Sequence, residues 1–504
     1  MALSPATPVL NGFPRMASPD HPPRPDPYVP NPVPLAERVS PPLFRAAEIR
    51  LIEARWQAEH PDTALMERAG LAAAEWAGTL ARDTGEPVLV LAGPGNNGGD
   101  ALMAACRLAE RGSRVIVVSE ADPARLPADA ARAWAAWHAR GGTVQAELPP
   151  AQRYSLVIDG LFGAGLQRDL SGAPARWIDL VNPMDCPKLA LDVPSGLDAD
   201  SGRIRGRALR ADYTLSFLGL KPGLLTADGP DCVGELRLDT LGIDPASLPT
   251  TPGIALTHLE KRHRLPPRVR NSHKGQYGHL GIIGGAPGMV GACLIAGRAA
   301  LQQGAGSVTL GVLDARIAVD YGEPRLMFAT PEALVDARLD VLAIGPGLGL
   351  DARAHALLDT ALAAPCALVL DADALTLLAS DPTLAERAAQ RSAPTLLTPH
   401  PGEAARLLGI LPGDVQRNRI DTALHLSAHY RAHVALKGAG TVIAHPDGRY
   451  AINTRGGPWL AQAGSGDRLT GMVAALQGQG MAAGDALEAA CWLHGRAPVG
   501  IGTD

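Results

Sequence analysis

Two loops in this 504-residue chain carry the residue types that proton transfer and phosphate binding require. The first, Asp192-Val-Pro-Ser-Gly-Leu-Asp198, ends the apolar run 188–192. A carboxylate at the carboxyl end of a buried parallel strand sits where open α/β sheets bind ligands, and it can shuttle a proton there. The second loop, Ala463-Gly-Ser-Gly-Asp-Arg-Leu-Thr-Gly471, runs into an apolar helical stretch, 469–476. Its glycines let backbone amides gather at a helix start as an anion hole, with Asp467 beside it. A carboxylate next to bound phosphate is electrostatically unfavourable unless it has work to do. Removing a proton from an attacking hydroxyl is such work. Taken alone, each aspartate is equally well explained as a turn or helix-cap residue.

Each loop has companions. Gly93-Pro-Gly-Asn-Asn-Gly-Gly-Asp100 follows an apolar run and opens a helix, and Asp159-Gly-Leu-Phe-Gly-Ala-Gly165 ends another such run. A single glycine-rich turn signifies little, and this one lacks the dinucleotide-binding GxGxxG spacing. Three glycine-flanked strand ends bearing Asn, Asp and Ser oxygens make a shared ligand the better account. In the second half, Lys437-Gly-Ala-Gly-Thr441 offers Lys and Thr in a small-residue turn suited to nucleotide phosphates. His400-Pro-Gly-Glu403 opens a helix, and Gly284-Gly-Ala-Pro-Gly288, Gly345-Pro-Gly-Leu-Gly349 and Asp371-Ala-Asp-Ala-Leu375 are further strand ends. A lone His such as His400 is more often a helix-entry residue than a catalytic one. Its company shifts that balance.

The elements that must position these loops alternate. Helices are predicted at 43–58, 63–80 and 100–111, and short apolar strands at Val88–Ala92, 114–118, 155–159 and 188–192. A second series has strands at 280–283, 307–312, 341–344, 367–370, 395–397, 434–437 and 441–444. Strand–helix alternation of this kind means parallel sheets, and the halves do not resemble one another, so two different α/β domains are expected. They are placed at 43–245 and 265–504, with a proline-punctuated linker at 246–264. The first 42 residues hold 13 of the 44 prolines, which argues for a disordered tail without helix or sheet. The formal net charge of −5 gives no electrostatic case for nucleic-acid or membrane partners. The six cysteines lack CxxC or zinc spacing and read as scattered, reduced, buried thiols. No apolar run is long enough for a membrane span and no secretory signal is evident, so a cytoplasmic protein is expected.

The motifs GPGNNGGD, DGLFGAG, LDVPSGLDADSG and Gly219-Leu-Lys-Pro-Gly223 together resemble the NAD(P)H-hydrate epimerase family over about residues 44–243. The resemblance implies a Rossmann-like three-layer domain. It implies that Asn96, Asn97, Gly98, Gly99 and Asp100 line the site of the hydrated cofactor, as do Gly163, Ala164, Gly165, Leu166, Gln167, Arg168 and Asp169. It makes Asn97, Asp159 and Ser195 ligands of a potassium ion, and Asp192 both a substrate contact and the catalytic acid/base. The loops of the second half, with His273-Lys-Gly-Gln-Tyr-Gly278, resemble the ADP/ATP-dependent NAD(P)H-hydrate dehydratase family over about residues 265–497. That implies a ribokinase-like fold. By carry-over, Lys437, Gly438, Ala439, Gly440, Thr441 and Gly466 hold the adenine nucleotide, and Ala292, Gly349, His400 and Asp467 face the hydrate. The implied chemistry is phosphorylation of the C6 hydroxyl with magnesium and ADP or ATP, Asp467 taking the proton, followed by phosphate elimination. A homo-oligomer is also expected.

Two departures from the dehydratase pattern stand near the phosphate loop. Trp459 in Gly456-Gly-Pro-Trp-Leu460 replaces a small residue, and Arg468 follows Asp467 where a small apolar residue is usual. Two other readings remain at this stage. One is a ribokinase-like small-molecule kinase with an N-terminal regulatory or scaffold domain; the other is a non-catalytic binding module.

Overall fold

The computed structural model describes residues 28–61, 64–150 and 152–496. Two sheets organise them. The first has eight strands, in the spatial order Val33–Pro34, Glu235–Asp239, Tyr213–Phe217, Lys188–Leu191, Leu156–Gly160, Val88–Ala92, Val115–Val118 and Val144–Gln145. All its pairings are parallel except that of Val33–Pro34. Its strands are apolar on both faces because both are covered. Val88, Val90, Leu156 and Ile158 pack with the helices Leu65–Leu80, Asn96–Glu110 and Ala128–Ala139. Leu89, Leu91 and Val157 pack with Trp177 and Ile178 of the helix Gly172–Val181. The expected three-layer domain is therefore observed.

The second sheet has eleven strands. Seven parallel ones run Met327–Ala329, Ser307–Val312, His279–Gly284, Val341–Ile344, Ala367–Leu370, Thr395–Leu397 and His433–Leu436. Val442–Ala444 and Tyr450–Asn453 then extend it by antiparallel pairing. Helices cover both faces, among them Val290–Gln302, Ser465–Gly478 and Ala483–His494 on one, and Ala352–Ala361, Ala372–Ser380 and Arg419–Tyr430 on the other.

Three expectations need correction. Proline does not keep the segment before residue 43 out of the sheets. Val33–Pro34 pairs with Leu238 and Arg237 at the edge of the first sheet, and Pro42–Leu43 pairs with Gly253 and Ile254 at the edge of the second. An edge strand needs ladder bonds on one side only, so a missing amide is tolerated there. The remainder of the expected tail, residues 1–27, lies outside the described residues. The 246–264 linker likewise contains a strand, Gly253–Leu256, which joins the second sheet beside Tyr450–Asn453. Finally, the helix expected to begin at Asp100 begins at Asn96, because Gly95 takes the extended cap conformation. Asn96 to Asp100 thus form the first turn of a helix rather than a loop, and the Gly99 amide donates to the Gly95 carbonyl at 3.2 Å. All six cysteines are free, and five are buried. Among the described residues no helix is long and apolar enough to cross a membrane.

Candidate active sites

At the carboxyl end of the first sheet, Asp159 is delivered fully buried by the strand Leu156–Gly160. Burial pushes its carboxyl up to about 6, against hydrogen bonds from the amides of Ser195 and Leu161 at 2.8 and 3.2 Å and from Ser195 Oγ at 2.6 Å. Ser195 Oγ also accepts from the Phe162 amide at 2.8 Å, so this pair ties two strand-end loops together. Asn97 contrasts with it. Both polar atoms of its side chain are buried without a hydrogen-bond partner. An orphaned buried amide costs about 1–3 kcal/mol, so it is usually retained for a ligand.

Glycines bring the remaining parts together. A Cβ on Gly98 would lie 2.0 Å from the Gly93 carbonyl oxygen, which keeps the helix start folded tightly onto its own loop. A Cβ on Gly163 would lie 2.9 Å from Asp192 Oδ2 and 3.3 Å from Asn97 Cγ, so these three residues share one space. Asp192 sits at φ +64°, an unfavourable conformation for a non-glycine residue and one that clusters at functional sites. Its Oδ2 accepts from the Ala164 amide at 3.1 Å, and its Oδ1 pairs with Lys221 Nζ. Lys221 has no exposed surface and also donates to the Phe217 carbonyl at 2.8 Å and to Ser216 Oγ at 3.2 Å. Asp100 is held well above the ordinary carboxylate range, first by desolvation and then by the charges of Asp192 and Glu53. Asn96, Gln167, Arg168 and Asp169 are exposed around this space. Leu166 is different: its side chain is buried in the apolar cluster with Leu161, Leu170 and Trp177, where it packs rather than faces the cleft.

At the carboxyl end of the second sheet, Asp467 lies in the first turn of Ser465–Gly478, behind Gly464 at φ +82°. Desolvation raises its carboxyl, Asp371 and Asp373 raise it further, and Lys437 pulls it back. Lys437 Nζ is 2.8 Å from Asp371 Oδ1 and 3.8 Å from Glu403 Oε2. Asp371 also accepts from Thr470 Oγ1 at 2.7 Å. Burial alone would push the Asp371 carboxyl up, but the Lys437 charge and the hydroxyls hold it below its ordinary value. A Cβ on Gly466 would lie 3.3 Å from Lys437 Nζ, so the lysine reaches the start of the Asp467 helix. Asp373 Oδ2 accepts from the Gly349 amide at 2.8 Å, which brings that loop to the same carboxylates. Ala292 belongs to Val290–Gln302, which packs so closely on the Asp467 helix that a Cβ on Gly471 would lie 2.0 Å from the Ala296 carbonyl oxygen.

His400 turns out to be a helix cap. Its Nδ1 accepts from the amides of Gly402 and Glu403 at 2.9 and 3.3 Å, while Glu403 Oε2 accepts from the His400 amide at 2.7 Å. Its ring is half-exposed, with Nε2 3.4 Å from Glu403 Oε1. Arg468 is exposed, and Trp459 folds over its own turn, where a Cβ on Gly457 would meet the indole ring at 2.2 Å.

Sequence reasoning missed Lys221 as the partner of Asp192, although it stands in the quoted Gly219-Leu-Lys-Pro-Gly223 motif. It also missed that Lys437 is already paired with Asp371. Among the described residues no group of three or more His, Cys, Asp and Glu side chains is placed to hold a metal ion.

Comparisons with known proteins agree with this division into two sites. The family described as NAD(P)H-hydrate dehydratase matches residues 280–501, and the YjeF-related protein N-terminus matches residues 62–223. The chain is 37% identical over 491 residues to the bifunctional NAD(P)H-hydrate repair enzyme of Moorella thermoacetica, covering 90% of this chain and 91% of that one. With the enzyme of the same description from Escherichia coli it shares 38% over 418 residues, covering 81% and 79%. The crystal structure of an ADP/ATP-dependent NAD(P)H-hydrate dehydratase from Bacillus subtilis is 33% identical. It superposes with a TM-score of 0.41 and covers 46% of this chain and 84% of that one.

Proposed function

The chain belongs to the family of bifunctional NAD(P)H-hydrate repair enzymes, and on that premise we propose how its two sites share the work. The N-terminal unit epimerises (R)- and (S)-NAD(P)HX, and the C-terminal unit carries out the ADP-dependent dehydration of (S)-NAD(P)HX to NAD(P)H. We assign the two activities to residues 43–245 and 265–504, with the edge strands before residue 43 and at 253–256 as accessory pieces.

In the first site Asp192 accepts and returns a proton at the C6 centre, its carboxylate oriented by Lys221 and the Ala164 amide. Both routes to epimerisation use it, loss and return of the C6 hydroxyl or opening and closing of the ring. Asn97, Asp159 and Ser195 offer a donor set made of oxygen, and a hard monovalent cation would satisfy the orphaned Asn97 Oδ1. Potassium fits this set. When bound it supplies a fixed positive charge beside the substrate.

In the second site the amides at the start of Ser465–Gly478 bind phosphate oxygens, with 437–441 and Gly466 holding the nucleotide. Asp467 takes the proton of the C6 hydroxyl as that oxygen attacks the terminal phosphate. A nucleotide-bound magnesium ion supplies charge neutralisation. Phosphate then leaves from C6, the C5 proton is lost, and the dihydropyridine is restored. Ala292, Gly349 and His400 face the hydrate. ADP is taken as the natural phosphoryl donor, with ATP as the alternative. The protein is taken to be a cytoplasmic homo-oligomer.

One observation carries this reading. Asp467, its carboxyl raised by burial and neighbouring carboxylates, stands in a glycine-opened helix turn beside a buried Lys437–Asp371 pair. The test is purified protein with mixed-epimer NADHX, ADP, magnesium and potassium. Full recovery of the dihydronicotinamide absorbance is expected. Recovery that stops near half would refute the epimerase, and none would refute both activities. A stable phosphorylated product would instead favour the kinase reading.

A further inference from the structure

The loop that follows Lys221 makes a contact that neither reaction uses. Lys221 closes on Asp192 in the first site, and five residues later Thr226 reaches the second. Thr226 is fully buried where the two units meet. Its Oγ1 is 2.9 Å from the Gly440 carbonyl oxygen and 3.2 Å from that of Ala439, and it accepts from Arg419 Nε at 3.0 Å. The Ala227 amide donates to the Ala439 carbonyl at 3.2 Å.

Arg419 is itself only 1% exposed, and among the described residues no carboxylate pairs with it. Three more of its five donors go to Gln416 Oε1 at 2.8 Å and to the carbonyls of Leu436 and Lys437 at 3.1 and 3.3 Å. Desolvation lowers the guanidinium to about 10. A cation this buried depends on the hydrogen bonds that replace its hydration. The backbones touch as well. A Cβ on Gly440 would lie 1.8 Å from the Leu225 carbonyl oxygen, and one on Gly438 would lie 2.8 Å from Arg419 Nη1. The 437–441 loop therefore rests at Gly440 on 225–227 of the other unit, and at Gly438 on Arg419 of its own.

We propose that Thr226, acting with Arg419, is a positioning residue for the nucleotide loop, so that the N-terminal unit completes the adenine-nucleotide site of the C-terminal unit. This rests on the assignment of 437–441 as that loop. Without the Thr226 hydroxyl, the carbonyls of Ala439 and Gly440 face a methyl group and Arg419 Nε loses its acceptor. The loop then spends part of its time in other backbone conformations. Apparent nucleotide affinity falls by the fraction of time the competent one is lost, while Asp467 is untouched.

The experiment uses the full chain, pure (S)-NADHX and varied ADP, with ADP affinity also measured by calorimetry. Thr226→Val keeps the volume and removes the hydroxyl; Thr226→Ser keeps the hydroxyl. The KM and Kd for ADP are expected to rise about five- to tenfold in Thr226→Val, as for the loss of one or two hydrogen bonds. The kcat, the KM for (S)-NADHX and the epimerisation rate stay within about twofold, and Thr226→Ser restores ADP binding. Arg419→Lys, which keeps the charge but loses the Nε bond, raises the ADP KM in the same way. An unchanged ADP affinity in Thr226→Val would overturn the proposal. So would Thr226→Ser as impaired as Thr226→Val, or both KM values rising together. Wild-type protein that binds ADP without dehydrating (S)-NADHX would sink the functional reading alone. The calorimetric comparison of the variants would still decide this one.

Discussion

Replacing Lys437 by Met tests the electrostatic account of the second site most directly. Lys437 Nζ lies 2.8 Å from Asp371 Oδ1, and Asp371 is 1% exposed. At an effective dielectric of about 20 the attraction is roughly 6 kcal/mol before desolvation is counted. Methionine fills most of the lysine volume, so the loss is chiefly of charge. Removing one partner of a buried pair typically costs about 3–5 kcal/mol. Thr470 Oγ1 still donates to Asp371 at 2.7 Å, so about 3 kcal/mol is expected. Adding Asp371→Asn removes the stranded charge and should recover about 2 kcal/mol of it. The assay is chemical denaturation of the four proteins of the cycle, following the C-terminal unit's transition, since the two units need not unfold together. In the wild type the Asp371 carboxyl is held below its ordinary value, so its stabilisation is present above that value and is lost as pH falls through the folded one. In Lys437→Met the pull of the ammonium is gone. The deficit is therefore full at neutral pH and narrows in acid as Asp371 takes a proton. A deficit under about 1 kcal/mol, one independent of pH, or a double variant no more stable than the single would each refute the reasoning.

Three further outcomes follow from the same geometry. Because desolvation and Asp371 raise the Asp467 carboxyl, dehydration should fall off on acidification at a higher pH than an ordinary aspartate would set. Asp373→Asn should move that limb of the kcat–pH profile to lower pH. Asp192→Asn should lower the epimerisation rate by about 10²- to 10⁴-fold while dehydration of pure (S)-NADHX is unchanged, which a stalled recovery on mixed epimers would reveal. Asn97→Leu, which replaces an orphaned amide by an apolar group of similar shape, should leave unfolding free energy within about 1 kcal/mol and abolish any stimulation of epimerisation by potassium.

The strands were legible because burial on both faces leaves a continuous apolar run, as at Val88–Ala92 and Ala367–Leu370, and glycine punctuates its end. The loops that follow were legible for the same reason: Asp159 and Asp192 are polar residues placed where a strand ends, and Asp467 is one placed where a helix begins. That local signal, with the family resemblance, was enough to reach the fold class and the reaction. It failed at the sheet edges, where Val33–Pro34 and Pro42–Leu43 are too short and too rich in proline to register as strands. It also failed wherever a role depends on a partner. Asn97 and Ser195 are both polar residues that follow strand ends, yet one is left without a partner and the other is satisfied by Asp159. Lys221 meets Asp192 across 29 residues, Lys437 meets Asp371 across 66, and Thr226 meets Arg419 across 193. Periodicity reports how a segment lies against its own core, and so the sequence alone determined which elements form and which residues end them. Which of those ends face one another is set by strand order and by the docking of two sheets. Only the tertiary structure could decide that the lysines are already paired, that Asn97 is not, and that Thr226 and Ala227 of one unit meet the 437–441 loop of the other.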